Sequence, residues 1–149
     1  MIKATKTCFR KYFVLRGRAT RAEYWWFYLA TILASLSALI TDGLIWGFSE
    51  DPGPIEIVIS LAIIIPSITV MVRRLHDTGK SGYYVLFPLV GIIAGIAFGA
   101  LLGPSMGQPA SYGAGFIIVS GFILQLWWLV KPSQPNSNKF GPNPHEVSP

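Results

Sequence analysis

The chain has 149 residues, enough for one domain, and 52% of them are hydrophobic while only 13% are charged. A soluble domain carries about 25% charged residues scattered over its surface, so this composition argues against a soluble fold. The net charge of +5 and the pI near 9.6 come from basic residues gathered in three separate segments, which fits membrane topology and anionic lipid better than nucleic acid. Cys8 is the only cysteine, so it can form neither an intrachain disulfide nor a cysteine-based metal site, and it reads as a free thiol.

Residues 1–23 form a basic segment. Seven of the twelve basic residues lie here: Lys3, Lys6, Arg10, Lys11, Arg16, Arg18 and Arg21. Phe9, Tyr12 and Phe13 fall at i, i+3 and i+4, which predicts a short amphipathic helix over 2–15 lying on the membrane surface. Thr20 and Glu23 have the spacing of a capping box, in which Thr20 accepts from the backbone of residue 23 and Glu23 reaches back to that of residue 20.

Residues 24–130 carry four apolar runs, predicted as transmembrane helices over 24–48, 54–72, 83–102 and 112–130. Each is long enough to cross a hydrocarbon core of about 30 Å. Tyr24, Trp25, Trp26 and Tyr28 mark one edge of the first run and Trp46 the other. Ala30, Ala34, Ala38 and Asp42 form a column on that helix that would let a neighbour approach. Pro66 lies inside the second run and predicts a kink or a local backbone gap. In the third, Gly91, Gly95, Gly99 and Gly103 repeat every four residues, predicting a helix-packing face used either within one chain or in a homo-oligomer. The loop 104–111 is uncharged, and the tail 131–149, rich in Pro, Asn and Ser, reads as extended or disordered.

The turn Arg73-Arg74-Leu75-His76-Asp77-Thr78-Gly79-Lys80-Ser81-Gly82 is the polar centre of the chain. Basic residues precede the first run, fill this turn and follow the fourth run, while the two opposite loops hold none. The positive-inside rule therefore predicts both termini in the cytoplasm. At that face, Arg16, Arg18, Arg21, Glu23, Arg73, Arg74, His76, Asp77 and Lys80 are candidates for one of two arrangements. One is a polar network, with Glu23 paired to Arg73 or Arg74 and Asp77 paired to an arginine of Arg16–Arg21. The other is an anion site, with Arg73, Arg74 and Lys80 holding the headgroup of an anionic phospholipid. Gly79-Lys80-Ser81 is no P-loop, because Arg74 stands where that motif needs glycine. His76 and His145 are the only histidines, and adjacent His76 and Asp77 would diverge on a helix, so no metal site is expected.

Three stretches stand together: Arg16-Gly17-Arg18-Ala19-Thr20-Arg21-Ala22-Glu23-Tyr24-Trp25-Trp26, the central turn, and Asn138-Lys139-Phe140-Gly141-Pro142-Asn143-Pro144. In order and spacing they resemble the small bacterial inner membrane proteins grouped as domain of unknown function 805. The tail departs slightly, with Asn-Lys-Phe-Gly-Pro where relatives commonly have Asn-Arg-Tyr-Gly-Pro. The resemblance implies a bacterial plasma membrane and this topology, and it brings no established activity, catalytic residue or cofactor. The expected architecture is an all-α bundle of four transmembrane helices. The expected role is a non-enzymatic scaffold or modulator acting through lipid or protein contacts. The alternative is a small oligomeric transporter or channel subunit, for which Asp42 and Glu56 are the ionisable groups within the spans.

Overall fold

The computed structural model describes residues 1–146; the last three residues of the predicted tail lie outside them. All regular elements are helical: α1 (Ile2–Arg10), α2 (Arg21–Trp46), α3 (Pro54–Asp77), a 3₁₀ turn (Gly82–Leu86), α4 (Phe87–Met106) and α5 (Gln108–Val130). Four segments are long and apolar enough to cross a membrane: α2, α3, the 3₁₀ turn continued by α4, and α5. Many large side chains point outward, such as Leu44 at 77%, Leu101 at 77% and Phe116 at 76% exposed. Such a surface is stable only against lipid tails.

The helices pair as two hairpins. α2 packs on α3 and α4 on α5, while between the hairpins α3 makes only sparse contact with α5. In the first hairpin, Asp42 is buried at the far end of the alanine column and caps α3, accepting from the backbone N–H groups of Ile55 at 3.2 Å and Glu56 at 2.8 Å. A carboxylate suits the positive end of a helix dipole. A Cβ on Gly53 would sit 2.3 Å from that carboxylate, so glycine is required there. In the second hairpin the glycine face packs within the chain. A Cβ on Gly91 would stand 3.4 Å from Gly121 Cα, and one on Gly95 would stand 2.8 Å from the Ala114 carbonyl. Gly99 faces Ala114 more loosely, and Gly103 faces open space.

Several predicted boundaries change. The loop expected over 104–111 shrinks to Gly107, whose φ of +62° turns the chain between α4 and α5. The second apolar helix runs five residues beyond Val72, because Arg73–Asp77 are helical and buried instead of forming a solvated turn. The basic N-terminal helix stops at Arg10 and packs against both α2 and α3. Phe9 meets Phe27 edge-on, with centroids 6.1 Å apart. The Tyr12 hydroxyl donates to the Ala62 carbonyl at 3.0 Å. Ala62 precedes Pro66 by four residues, so its carbonyl is the one that proline cannot serve. Tyr12 thereby fills the backbone gap within an otherwise continuous helix.

The hydrophobic core sits at the end of the bundle where α1, the start of α2, the end of α3 and the end of α5 meet. It joins Cys8, Ala19, Tyr24, Phe27, Val70, Leu75, Trp128 and Leu129. This is also the charged end.

Candidate functional site: a buried charged latch

Three guanidinium groups and two carboxylates meet here, and all three arginines are buried. Helix α3 supplies the centre. Its last turn presents Arg73 toward α1 and α2, and Arg74 and Asp77 toward the chain that leaves α5. Thr20 caps α2 by accepting from the Glu23 N–H at 3.0 Å, which fixes Glu23 in the first turn. The second half of the predicted capping box does not form, because Glu23 Oε1 is taken by Arg73 Nη1 at 2.6 Å. A guanidinium is the stronger partner for a half-buried carboxylate than a backbone amide.

Asp77 is the hub. Its Oδ1 accepts from Arg18 Nε at 2.9 Å, and its Oδ2 accepts from Arg74 Nη1 and from the Ser133 hydroxyl, the latter at 2.5 Å. Its backbone carbonyl accepts from the Gln134 N–H at 2.9 Å. Arg18 spends its remaining nitrogens on the Asn136 carbonyl at 2.8 Å and the Gln134 carbonyl at 2.5 Å. Arg74 donates to the carbonyls of Leu129, at 2.9 Å, and Lys131. Leu129 lies in the last turn of α5 and Lys131 caps it, at the end of the helix where a cation is favoured. The entry to α2, the end of α3 and the exit from α5 are thus tied by two arginines through one carboxylate.

A second layer closes the latch. His76 Nδ1 lies 3.2 Å from the Gly17 carbonyl, a contact that needs the proton on Nδ1. The imidazole stacks on Phe140 with centroids 3.8 Å apart and planes within 5°. Asn138 donates to the His76 carbonyl and to Gln134 Oε1, each at 3.0 Å. The Ala19 N–H donates to the Arg73 carbonyl at 3.0 Å. The segment 131–146 is therefore folded onto the bundle, contrary to the extended or disordered tail expected from its composition. It is built from side chains that bond backbone groups, with a short bridge between Asn138 and Gly141.

Of the residues named from sequence, the structure brings together Arg18, Glu23, Arg73, Arg74, His76 and Asp77. Arg16 and Arg21 are exposed and make no ion pair among the described residues. Lys80 lies over the rings of Tyr84, at 5.1 Å, and Trp128, at 4.9 Å, a cation–π contact at the bundle edge. The anion site is not formed by Arg73, Arg74 and Lys80. Both arginines are 0% exposed and committed to protein acceptors, so a headgroup cannot reach them. Sequence reading missed Ser133, Gln134, Asn138 and Phe140 as partners, although two of them belong to the third motif stretch. Cys8 is the free thiol that the sequence predicts, but it is buried. It is 0% exposed and lies 3.9 Å from both Glu23 Oε1 and Arg73 Nη2. Burial, helped by the Glu23 carboxylate, pushes its thiol up to about 11. Among the described residues, no three of His, Cys, Asp and Glu stand close enough to hold a metal ion.

The family model for "Protein of unknown function (DUF805)" matches residues 12–142. The chain belongs to this family. The matched region takes in every ion pair of the latch. The chain is similar to the inner membrane protein YhaH of Escherichia coli (strain K12), with 27% identity over 136 residues, 91% of this chain and 90% of YhaH. It is also similar to the inner membrane protein YhaI of the same organism, with 37% identity over 93 residues, 60% of this chain and 75% of YhaI. No solved structure matches. Both relatives are named as inner membrane proteins, and the four membrane-capable helices of this DUF805 chain fit a multi-pass membrane protein.

Proposed function

We propose that this DUF805 protein is a non-catalytic scaffold or modulator of the bacterial inner membrane, acting through lipid or protein contacts along its flank, with both termini in the cytoplasm. The observation that carries the reading is how polarity is spent. Three of the four carboxylates on the membrane helices are already engaged, Glu23 and Asp77 by buried arginines and Asp42 by the start of α3, and the fourth, Glu56, stands half-buried in the first turn of α3. Chemistry or ion passage needs such groups free to change partner. What stays open is the apolar surface, together with a cleft between two hairpins that are clamped at one end only. The exposed Lys3, Lys6, Arg16 and Arg21 suit phosphate headgroups at the cytoplasmic edge.

The test combines reconstitution with native mass spectrometry. Proteoliposomes should leak protons, potassium and sodium no faster than protein-free liposomes, while protein released from mild detergent should retain bound lipid or a protein partner. Flux that falls on Asp42→Asn or Glu56→Gln would overturn the reading in favour of a transporter. A cytoplasmic reporter fused after Pro149 should be active; activity only from an external reporter would reverse the orientation.

A further inference from the structure

Between the two hairpins lies a cavity of about 670 Å³. Trp25 and Tyr28 of α2, Ile64 and Ser67 of α3, and Phe122 and Gln125 of α5 are among its walls. Ile64 is 54% exposed, and Tyr28 and Phe122 are each 50% exposed, so the cleft opens sideways onto the flank that faces hydrocarbon. No Asp, Glu, Lys, Arg or His lines it. Within it, Gln125 is 5% exposed. Its Nε2 donates to the Met71 sulfur at 3.4 Å, and its Oε1 has no partner. Turning the amide over would face oxygen to sulfur and lose even that bond. A buried amide oxygen without a donor is costly, and in hydrocarbon no bulk water relieves it.

We propose that this cleft binds an uncharged long-chain alcohol, with the chain lying between the hairpins and the Gln125 side chain, whose Oε1 is covered in this structure, turning into the cleft to accept from the hydroxyl. The assignment rests on the lipid-contact reading above and names its ligand class. Each part of the molecule answers one observation. An apolar chain fits walls open to hydrocarbon. A charged head is excluded, because Gln125 lies six residues, about 9 Å, inside Lys131 on α5 and the cleft offers no counter-charge. Hydrocarbons, ethers and esters leave Oε1 unmet, since they carry no donor. The volume lies within the range of about 300–1,000 Å³ common to small-molecule sites.

The test is photolabelling in phosphatidylcholine nanodiscs with an oleyl alcohol carrying a mid-chain diazirine, followed by peptide mapping. Labelling should concentrate on the cleft walls over the lipid-facing residues Ile93 and Ile96 of α4. Unlabelled oleyl alcohol should compete at about five-fold lower concentration than its methyl ether, the worth of one hydrogen bond. In Gln125→Leu the two competitors should become equal while the α4 background stays the same. Cleft labelling with equal competition by alcohol and ether in the wild type would overturn the alcohol and leave the lipid-contact reading standing. Labelling of the cleft no stronger than at Ile93 and Ile96 would overturn both. The wild-type comparison decides the matter even if Gln125→Leu fails to fold.

Discussion

Arg18 and Asp77, 59 positions apart in sequence, meet through a 2.9 Å charge-assisted hydrogen bond that is sealed from solvent. The same carboxylate also neutralises Arg74, so one acid holds two bases. Removing it should be the most damaging single change in the latch. Asp77→Asn would leave two guanidiniums facing each other in a dry site, and breaking such a pair costs about 3–5 kcal/mol. Thermal unfolding in mild detergent should show a large drop, or loss of folded protein. Adding Arg18→Leu should recover part of the loss by removing one orphaned charge. A double variant no better than Asp77→Asn alone would mean that Arg18 is not coupled to the hub.

The Glu23–Arg73 pair should be coupled but weaker. Arg73 is fully buried, yet the Glu23 side chain is 16% exposed, and the Arg73 Nε has no partner. A double-mutant cycle with Glu23→Gln and Arg73→Met should give an interaction energy of about 1–2 kcal/mol. Additive effects would show that the two side chains act separately.

Tyr12 and Pro66 make a conditional prediction. Tyr12→Phe removes the donor to the Ala62 carbonyl and should cost about 1 kcal/mol in unfolding experiments. In a Pro66→Ala background, residue 66 regains an N–H that can serve the same carbonyl, and Tyr12→Phe should then be almost neutral. Equal losses in both backgrounds would mean that the hydroxyl does not fill the proline gap.

The glycine face should respond by position. A Cβ at Gly95 would lie 2.6 Å from Ile118 Cγ1 and 2.8 Å from a backbone oxygen, so Gly95→Ala should cost about 1–3 kcal/mol by forcing α4 and α5 apart. At Gly103 nothing lies within 4 Å, and Gly103→Ala should be neutral or stabilise by up to about 1 kcal/mol through helix propensity. Equal effects at the two sites would mean that the hairpin does not pack as described.

Cys8 predicts the alkaline limit. Its thiol is held neutral to about pH 11 in the fold against an ordinary value of 9.0. Its contribution is complete below pH 9 and is lost as the pH rises through about 11, because the unfolded chain ionises first. N-ethylmaleimide at neutral pH should modify the unfolded protein readily and the folded protein hardly at all. Cys8→Ala should flatten the fall in stability above pH 9. Rapid alkylation of folded protein would place the thiol outside the core.

The sequence by itself determined the membrane class, the number of spans and the family. The first two follow from run length and charge placement, which depend only on transferring side chains into lipid, and the family from the order and spacing of three motif stretches. It also placed Glu23 and Asp77 opposite arginines at one depth, since unpaired charge there is costly. The tertiary structure decided which arginine each acid takes, that Arg73 and Arg74 are buried in protein instead of meeting headgroups, and that Ser133–Phe140 folds over them. It also decided that Gly91 and Gly95 pack within one chain. Helix period and hydropathy cannot see these outcomes, because each depends on a group that the fold brings in from another element, 50 or more residues away in the latch. The tail looked extended because its polar residues bury no apolar face of their own. It is ordered by the donors and acceptors that α3 presents to it, which exist only once the hairpins have closed.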